Sequence, residues 1–208
     1  MDIQFYGANC IVLTSKEARL VVDDNLQDLG GKSVVKKGDI VLFTGSHAQP
    51  SAETKLTIAS PGEYEVSHYS IVGIPARSHL DEPTQKTAVM YKVTANDLSF
   101  LFTGHIHPDI TDSQLEHIGI IDVMFVPVGG NGYTLDSTGA LALLKAIEPK
   151  LVIPTHYDDP SLHFPVPQQK LDEALKILAL EPKETTQKLR IKPEGLPETT
   201  TLIVLDKS

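Results

Sequence analysis

The stretch LSFLFTGHIHPD, residues 98–109, is the part of the chain from which the rest of the fold can be worked out. Its first half, residues 98–103, is an apolar and β-prone run, which predicts a buried strand. His105, His107 and Asp109 follow directly, in a segment whose proline disfavours a helix. The stretch therefore predicts a strand that delivers two imidazoles and a carboxylate to the edge of a β-sheet.

The same arrangement, an apolar run that leads into a histidine, occurs three more times. It is found at His47 in DIVLFTGSH, at His79 in SIVGIPARSH and at His156 in KLVIPTHY. A single histidine at a strand end is usually a hydrogen-bonded structural residue, but here such junctions hold four of the eight histidines. We therefore predict that these three imidazoles and that of His105 meet in one site, at one edge of a β-core.

Size and charge limit the class of protein. The chain has 208 residues and a hydrophobic fraction of 41%, which suits a single globular domain over residues 1–208. Its net charge of −9 argues against a broad nucleic-acid-binding surface, because such a surface needs Lys and Arg to neutralise phosphates. We therefore expect a small-molecule substrate or ligand and no nucleic-acid partner.

Cysteine usage and hydropathy give an expected location. Cys10 is the only cysteine, so no disulfide can form within the chain, and core packing is its expected role. The start, MDIQFYG, lacks the basic and apolar regions of a secretory signal. The longest apolar segment, residues 118–128, is interrupted and too short to span a bilayer. These features predict a cytoplasmic protein without a membrane partner.

The order of predicted elements favours an α+β sandwich over an all-parallel fold. The first third of the chain reads as a meander of short strands, closed by Asp23 and Asp24. Such adjacent acids are either solvated turn residues or support for a site. Residues 120–128 and 150–154 predict strands on either side of a helix over residues 138–147, as in a parallel crossover. Many strands with helices outside them predict two packed sheets flanked by helices.

Three local patterns add detail to this prediction. Thr111 followed by Gln114 fits a capping box at the start of a short helix. Residues 64–75 read as one long strand, in which we interpret His68 as structural. Residues 168–180 have their leucines on one face, which predicts an amphipathic helix.

With the histidine junctions assembled, the sequence resembles the metallo-β-lactamase superfamily over nearly its whole length. The branch it resembles is that of L-ascorbate-6-phosphate lactonase, often labelled Zn-dependent hydrolases. FYGANCIVL (5–13) resembles the branch's opening strand and glycine turn, and RLVVDD (19–24) its strand that ends in an acid. The most specific match is VPVGGNGYTLD (126–136), followed by a helix and KLVIPTHYDD (150–159). The resemblance implies an αββα sandwich, with a metal site at one sheet edge.

The metal motif of that family is only partly present. The family pattern is His-x-His-x-Asp-His, a further histidine, a metal-bridging aspartate after a glycine, and a final histidine. By resemblance, HAQPSA (47–52) keeps only the first histidine of the first motif, whereas His79 and His156 match the later histidines. His105 stands where the bridging aspartate is expected, and Asn9 replaces a histidine that the branch usually carries. These departures argue against a two-metal site.

One interpretation is therefore a mononuclear metal hydrolase with one zinc ion at most. Zinc in a catalytic site has about three protein ligands and a water, with nitrogen at about 2.0–2.1 Å. The candidate ligands are His47, His79, His105 and His156, and Gln49 adds a weak oxygen donor. Zinc would lower the pKa of its bound water to about 7, and His107 or Asp109 would act as general base or orient a ligand. The expected substrate is a small ester, lactone or phosphoester.

The other interpretation belongs to a different class of protein. With the carboxylates of a two-metal site gone, the same fold would serve as a metal-free pseudoenzyme, a binding or scaffold protein. Its imidazoles would hydrogen-bond to each other and to the backbone. A melting temperature that does not depend on zinc would support this alternative. A homo-oligomer is implied by the resemblance alone, because relatives of this branch often form oligomers.

Overall fold

The computed structural model describes residues 1–45, 49–50 and 52–208 of the chain. In chain order the strands are Asp2–Phe5 (β1), Ile11–Thr14 (β2), Arg19–Val22 (β3), Ile40–Leu42 (β4), Leu56–Ile58 (β5), Gly62–Val66 (β6), Tyr69–Ala76 (β7), Ala88–Ala95 (β8), Leu98–Phe102 (β9), Val123–Pro127 (β10), Leu151–Thr155 (β11), Pro182–Thr186 (β12), Leu189–Arg190 (β13) and Thr201–Leu205 (β14). The α-helices are Asp112–Ile118 (α1), Ser137–Ile147 (α2) and Leu171–Leu178 (α3), with short 3-10 turns at Leu26–Leu29 and Pro193–Gly195.

The strands form two mixed sheets. One has the order β13-β1-β2-β3-β4-β5, and the other has the order β12-β14-β11-β10-β9-β8-β7-β6. In the first sheet, β1 to β3 form the predicted antiparallel meander, and β4 and β5 continue it in parallel. In the second sheet, β6 to β9 are antiparallel, whereas β9, β10 and β11 are parallel neighbours. The α+β sandwich predicted from the sequence is confirmed.

The apolar side chains divide into three layers. Alternate residues of β9 face the space between the sheets, where the rings of Phe102 and Phe125 stack with centroids 4.6 Å apart. Leu101 and Met124 face the other way and pack beneath the three α-helices. Because both faces of β9 are buried, its sequence is a continuous apolar run instead of an alternating one. The outer face of the smaller sheet is covered by the 3-10 turn Leu26–Leu29 and by loop side chains.

Register explains why one edge of the larger sheet collects the histidines. Phe102 of β9 pairs with Phe125 of β10, and Pro127 of β10 pairs with Thr155 of β11. These three parallel strands therefore point their carboxyl ends toward the same edge. Helix α2 connects β10 to β11 as the predicted parallel crossover.

Helix α1 begins as its sequence predicts. Thr111 accepts a hydrogen bond from the backbone N–H of Gln114, and the Gln114 side chain accepts one from the backbone N–H of Thr111. Both halves of the predicted capping box are thus present. Helix α3, Leu171–Leu178, is shorter at both ends than the predicted range 168–180, because the Gln168 side chain contacts His156 before the helix begins and Ala179 ends it with a left-handed φ of 53°.

In the N-terminal half one prediction needs correction, and one alternative that the sequence left open is decided. Residues 64–75 are two antiparallel strands, because Ser67 and His68 adopt φ values of 48° and 67° and reverse the chain. His68 lies at the tip of this hairpin with its side chain 77% exposed, 2.5 Å from a Glu17 carboxylate oxygen. Asp23 and Asp24 are buried, so they are not solvated turn residues. Among the described residues, no helix has both the length and the apolar character required to cross a membrane.

Candidate functional site

Three of the four histidines predicted to converge are neighbours in the structure. The ring of His105 meets that of His156 edge to face, with centroids 4.6 Å apart and an interplanar angle of 84°. The backbone N–H of His79 donates a hydrogen bond to the carbonyl of His105 at 3.0 Å. The fourth candidate ligand, His47, lies outside the described residues.

Unusual backbone conformations direct the side chains of His105 and His156 toward the site. Gly104 has a φ of +62°, and a Cβ there would lie 2.2 Å from Thr44 Oγ1, so only glycine fits between β9 and His105. His156 has a φ of 52° and Ala8 a φ of 48°, and the N–H of His156 donates to the carbonyl of Ala8 at 2.8 Å. Non-glycine residues in this left-handed region are strained, and such strain concentrates at functional sites.

Each of the three histidines has one buried ring nitrogen that finds no hydrogen-bond partner among the described residues. These atoms are Nδ1 of His79, Nδ1 of His105 and Nε2 of His156. The other nitrogen of His156, Nδ1, lies 3.1 Å from Oε1 of Gln168, which can only accept, so Nδ1 carries the hydrogen. The Nε2 lone pair of His156 is therefore free. Unpaired buried polar atoms cost about 1–3 kcal/mol each, so three of them at one edge suggest a missing ligand.

Burial keeps the two central imidazoles neutral. It lowers the pKa of His156 from 6.5 to about 3, and the proximity of His105 lowers it further. Burial also lowers the pKa of His105 from 6.5 to about 4, against the opposing effect of the Tyr133 backbone carbonyl. Neutral imidazole is the form of histidine that binds a metal ion.

Aromatic side chains enclose these imidazoles. The ring of Tyr133 lies 5.5 Å from that of His105 and 5.6 Å from that of His156. The ring of Phe164 lies 4.9 Å from that of His156 on another side. Tyr133 and Phe164 belong to loops without periodicity, so no sequence pattern had indicated them. They reduce the access of water to the two histidines.

These nitrogen atoms bear on whether a metal ion fits the site. The unpaired nitrogens of these three histidines are donors of the type that zinc prefers. Within residues 1–45, 49–50 and 52–208, however, no three His, Cys, Asp or Glu side chains form a group ready to hold an ion. The donor chemistry therefore fits one metal ion, whose coordination needs a further contribution. His47, outside those ranges, is the donor that the sequence offers.

The predicted general bases lie beside this cluster. The ring of His107 stacks on that of His79, with centroids 6.3 Å apart. Nδ1 of His107 lies 3.2 Å from the backbone N–H of Asp109 and 3.3 Å from its carboxylate. One nitrogen cannot serve both, because the amide needs its lone pair and the carboxylate needs its hydrogen. The carboxylate of Asp109 is 85% exposed and free to turn toward solvent, so we assign the amide bond.

Several polar residues around the site were not recognised as its partners from the sequence. Asn9 contacts His105, Thr155 contacts Asn9, and Gln168 contacts His156. Asp23 is buried beside Asn9 and Thr155, where it accepts hydrogen bonds from the backbone N–H and hydroxyl of Thr44. Burial raises the pKa of Asp23 to about 6. The resemblance had indicated Asn9 only as a departure from the family pattern.

A cavity of about 760 Å³ lies at the end of the strands opposite to the histidine edge. It is lined by the start of β1, the His68 hairpin tip, the turn that precedes β9, and Arg190 with Lys192. The histidine edge follows the carboxyl end of β9, whereas this cavity adjoins its amino end. The two sites are therefore separate.

Comparison with known proteins gives one family match. The sequence matches the family described as the beta-lactamase superfamily domain over residues 2–156. A curated UPF0173 metal-dependent hydrolase from Carboxydothermus hydrogenoformans is 43% identical over 44 residues, which are 21% of this chain and 19% of that protein. The chain thus matches about a fifth of the length of this curated relative.

Solved structures share the fold over the whole chain. A protein from Thermotoga maritima, provisionally described as a Zn-dependent hydrolase of the metallo-beta-lactamase superfamily, superposes with a TM-score of 0.76 at 23% identity. That alignment covers 99% of this chain and 98% of the other. A metallo hydrolase from the archaeon Ignicoccus hospitalis superposes with a TM-score of 0.63 at 15% identity, covering 100% of this chain and 95% of that one. At these identities the similarity concerns the fold.

Proposed function

Because the chain belongs to the metallo-β-lactamase superfamily, we propose that it is a metal-dependent hydrolase with a single metal ion at the histidine edge. The observation that carries this proposal is the set of unpaired buried nitrogens on His79, His105 and His156. A bound cation would supply a partner to such atoms, and its coordination would need a ligand beyond the described residues, because no three of their side chains form a group able to hold an ion. Zinc is the proposed ion, because neutral imidazole is among its preferred ligands.

In this proposal, the chain's own residues hold the donors in place. Gln168 accepts the Nδ1 hydrogen of His156 and so keeps the Nε2 lone pair directed into the site. His79 and His105 supply the other two nitrogens, and His47 is the fourth proposed ligand. When bound, zinc supplies Lewis-acid polarisation and lowers the pKa of water at the site to about 7.

The surroundings of the histidines favour a small substrate. Tyr133 and Phe164 line the imidazoles with aromatic surface and exclude bulk water. The chain's net charge of −9 disfavours a long polyanion. We therefore propose a small ester, lactone or phosphoester as the substrate. His107, beside His79, is the proposed general base, with Asp109 as the alternative.

A single ion fits better than two, because the bridging position carries an imidazole. His105 directly follows Gly104, where the family pattern has an aspartate, and its ring contacts the side chain amide of Asn9. Neither residue supplies the oxygen bridge that holds a second cation. The second metal of the family would also lack the donors that positions 49–52 no longer provide.

A second function is favoured by one observation, the incomplete donor group among the described residues. A metal-free pseudoenzyme of the same fold would use this edge to bind a ligand. The unpaired nitrogens would then contact polar groups of that ligand. The two candidates differ in what zinc does to the protein.

Hydrolysis assays with a matched histidine control test the proposal. The substrates are a chromogenic ester, a lactone and a phosphoester, assayed with zinc and again with a chelator. The variants are His105→Ala and, as control, His117→Ala, which removes an exposed histidine of α1. Hydrolysis that is abolished by the chelator and by His105→Ala, but not by His117→Ala, is expected. Activity that survives both treatments would refute metal-dependent hydrolysis at this edge, and no zinc-dependent turnover in any preparation would favour the metal-free alternative.

A further inference from the structure

The side chain of Asn9 is wedged between His105 and Thr155. Its Nδ2 lies 3.1 Å from Nε2 of His105, and its Oδ1 accepts a hydrogen bond from the hydroxyl of Thr155 at 2.8 Å. Asn9 and Thr155 are both buried. The turn that carries Asn9 is fixed by the bond from the His156 N–H to the carbonyl of Ala8. The amide therefore has two defined neighbours and little freedom to move away.

This arrangement determines which nitrogen of His105 carries the hydrogen. An amide nitrogen only donates, so Nε2 of His105 must accept with its lone pair. A neutral imidazole has one N–H, which is then on Nδ1, the atom buried without a partner. In this tautomer neither nitrogen of His105 is free to bind a cation, because Nδ1 is protonated and Nε2 is occupied.

The alternative amide orientation has the opposite consequence. If the Asn9 amide is turned by half a rotation, Oδ1 faces His105 and accepts the hydrogen of Nε2. Nδ1 then has its lone pair and becomes a ligand of the kind zinc binds. Thr155 remains a partner of the amide in the turned state, because its hydroxyl can accept from Nδ2, although in this structure it donates to Oδ1. The cavity beside Asn9 has a volume of about 10 Å³, so at most about one water molecule could take the place of the amide as the partner of His105.

We infer that Asn9 is a positioning residue whose amide orientation selects the tautomer of His105, and that the orientation in this structure keeps Nδ1 protonated until a metal ion binds. This inference rests on the proposed function for its role, but the tautomer itself is a property of the metal-free protein. It explains how the chain operates with an amide and an imidazole where a carboxylate is expected. Oriented partners of this kind typically alter metal affinity by about 10–100-fold.

The decisive variant is Asn9→Asp. A carboxylate only accepts, so it would take the Nε2 hydrogen of His105 and leave Nδ1 with its lone pair. The matched variant is Thr155→Val, which removes the hydroxyl that holds the amide in its present orientation. Nitrogen-15 NMR of histidine side chains in metal-free protein reports the tautomer directly, and calorimetric titration with zinc reports affinity.

We expect an Nδ1–H tautomer for His105 in the parent, an Nε2–H tautomer in Asn9→Asp, and a mixture in Thr155→Val. Zinc affinity should rise about tenfold in Asn9→Asp. An Nε2–H tautomer in the metal-free parent would overturn the inference, and so would an unchanged tautomer or an unchanged zinc affinity in Asn9→Asp. If Asn9→Asp fails to fold, the spectra of the parent and of Thr155→Val still test the inferred tautomer of His105. Absence of zinc binding by the parent would contradict the proposed function. The spectra of metal-free protein test the tautomer of His105 independently of that result.

Discussion

Acidification should destabilise the metal-free protein through its buried histidines, and His156 shows the effect most clearly. This residue is 1% exposed, and its pKa falls from 6.5 to about 3 on folding because burial disfavours the imidazolium form. Between these values the unfolded chain binds a proton that the folded chain does not. The stability contributed by the neutral form is therefore complete above pH 6.5 and is lost as the pH falls toward 3.

The loss of stability depends on how far the chosen pH lies below 6.5, the pKa of the histidine in the unfolded chain. At about pH 5, some 1.5 units below that value, the loss from one such histidine is about 2 kcal/mol. His105, whose pKa is lowered to about 4, adds a similar amount. A metal-free protein moved from about pH 7.5 to 5 should thus lose about 4 kcal/mol from these two residues together.

Urea unfolding of chelator-treated protein at the two pH values measures this loss. The variant His156→Gln cannot titrate at this position, so its acid-induced loss should be smaller than that of the parent by about 2 kcal/mol. Its absolute stability will fall at both pH values, and only the difference between them is the readout. His117→Gln controls for removal of a histidine as such. An acid-induced loss in His156→Gln equal to that of the parent would refute the claim that His156 is buried and neutral.

Three further substitutions test particular parts of the structure. Gly104→Ala should lower the unfolding free energy by more than about 3 kcal/mol, because its Cβ would lie 2.2 Å from Thr44 Oγ1. Gly38→Ala, whose Cβ would have nothing within 4 Å, should lower it by about 1 kcal/mol. Equal urea midpoints for the two variants would contradict the close approach at Gly104. Asp23→Asn removes a carboxyl whose pKa is about 6 in the folded protein and 3.8 in the unfolded chain. The unfolding free energy of the variant should therefore rise by about 3 kcal/mol relative to that of the parent between pH 3.8 and 6. A difference that stays constant with pH in denaturant titrations would show that Asp23 is not buried as described. Thr111→Ala should lower the unfolding free energy by about 1 kcal/mol through loss of the α1 capping box, and an unchanged melting temperature would argue against that cap.

The layers of this fold could be predicted because they depend on local patterns. The apolar run of β9 has both faces buried, and the capping box of α1 lies within four consecutive residues. The parallel crossover through α2 follows from the order strand, helix, strand. Each of these signals is confined to a short window, which is where propensity and periodicity are informative.

The hairpin around His68 was missed because its turn has no glycine or proline. Ser67 and His68 both adopt positive φ values, which their residue types rarely indicate, and the alternation of residues 64–75 continues across the turn. Only the pairing of Val66 with Tyr69 reveals the reversal. The burial of Asp23 was ambiguous for a similar reason, because its partner Thr44 is 21 residues away.

The partners of the histidines depend on contacts between distant parts of the chain. Asn9 and Thr155 are 146 residues apart, and Gln168 reaches His156 from the segment that leads into α3. Sequence patterns predicted that imidazoles would gather at one edge, because parallel strands end together there. They could not indicate which ring nitrogen would remain unpaired, since that depends on the orientation of individual amides.

The most direct test of this account is the metal content and metal position of the protein itself. Protein supplemented with zinc during purification without chelator should contain about one zinc ion per chain. Anomalous scattering at the zinc edge should locate that ion beside His105 and His156, and His156→Ala should abolish the signal. Less than about a tenth of an equivalent of zinc in the parent, or zinc bound elsewhere, would contradict the proposed metal site.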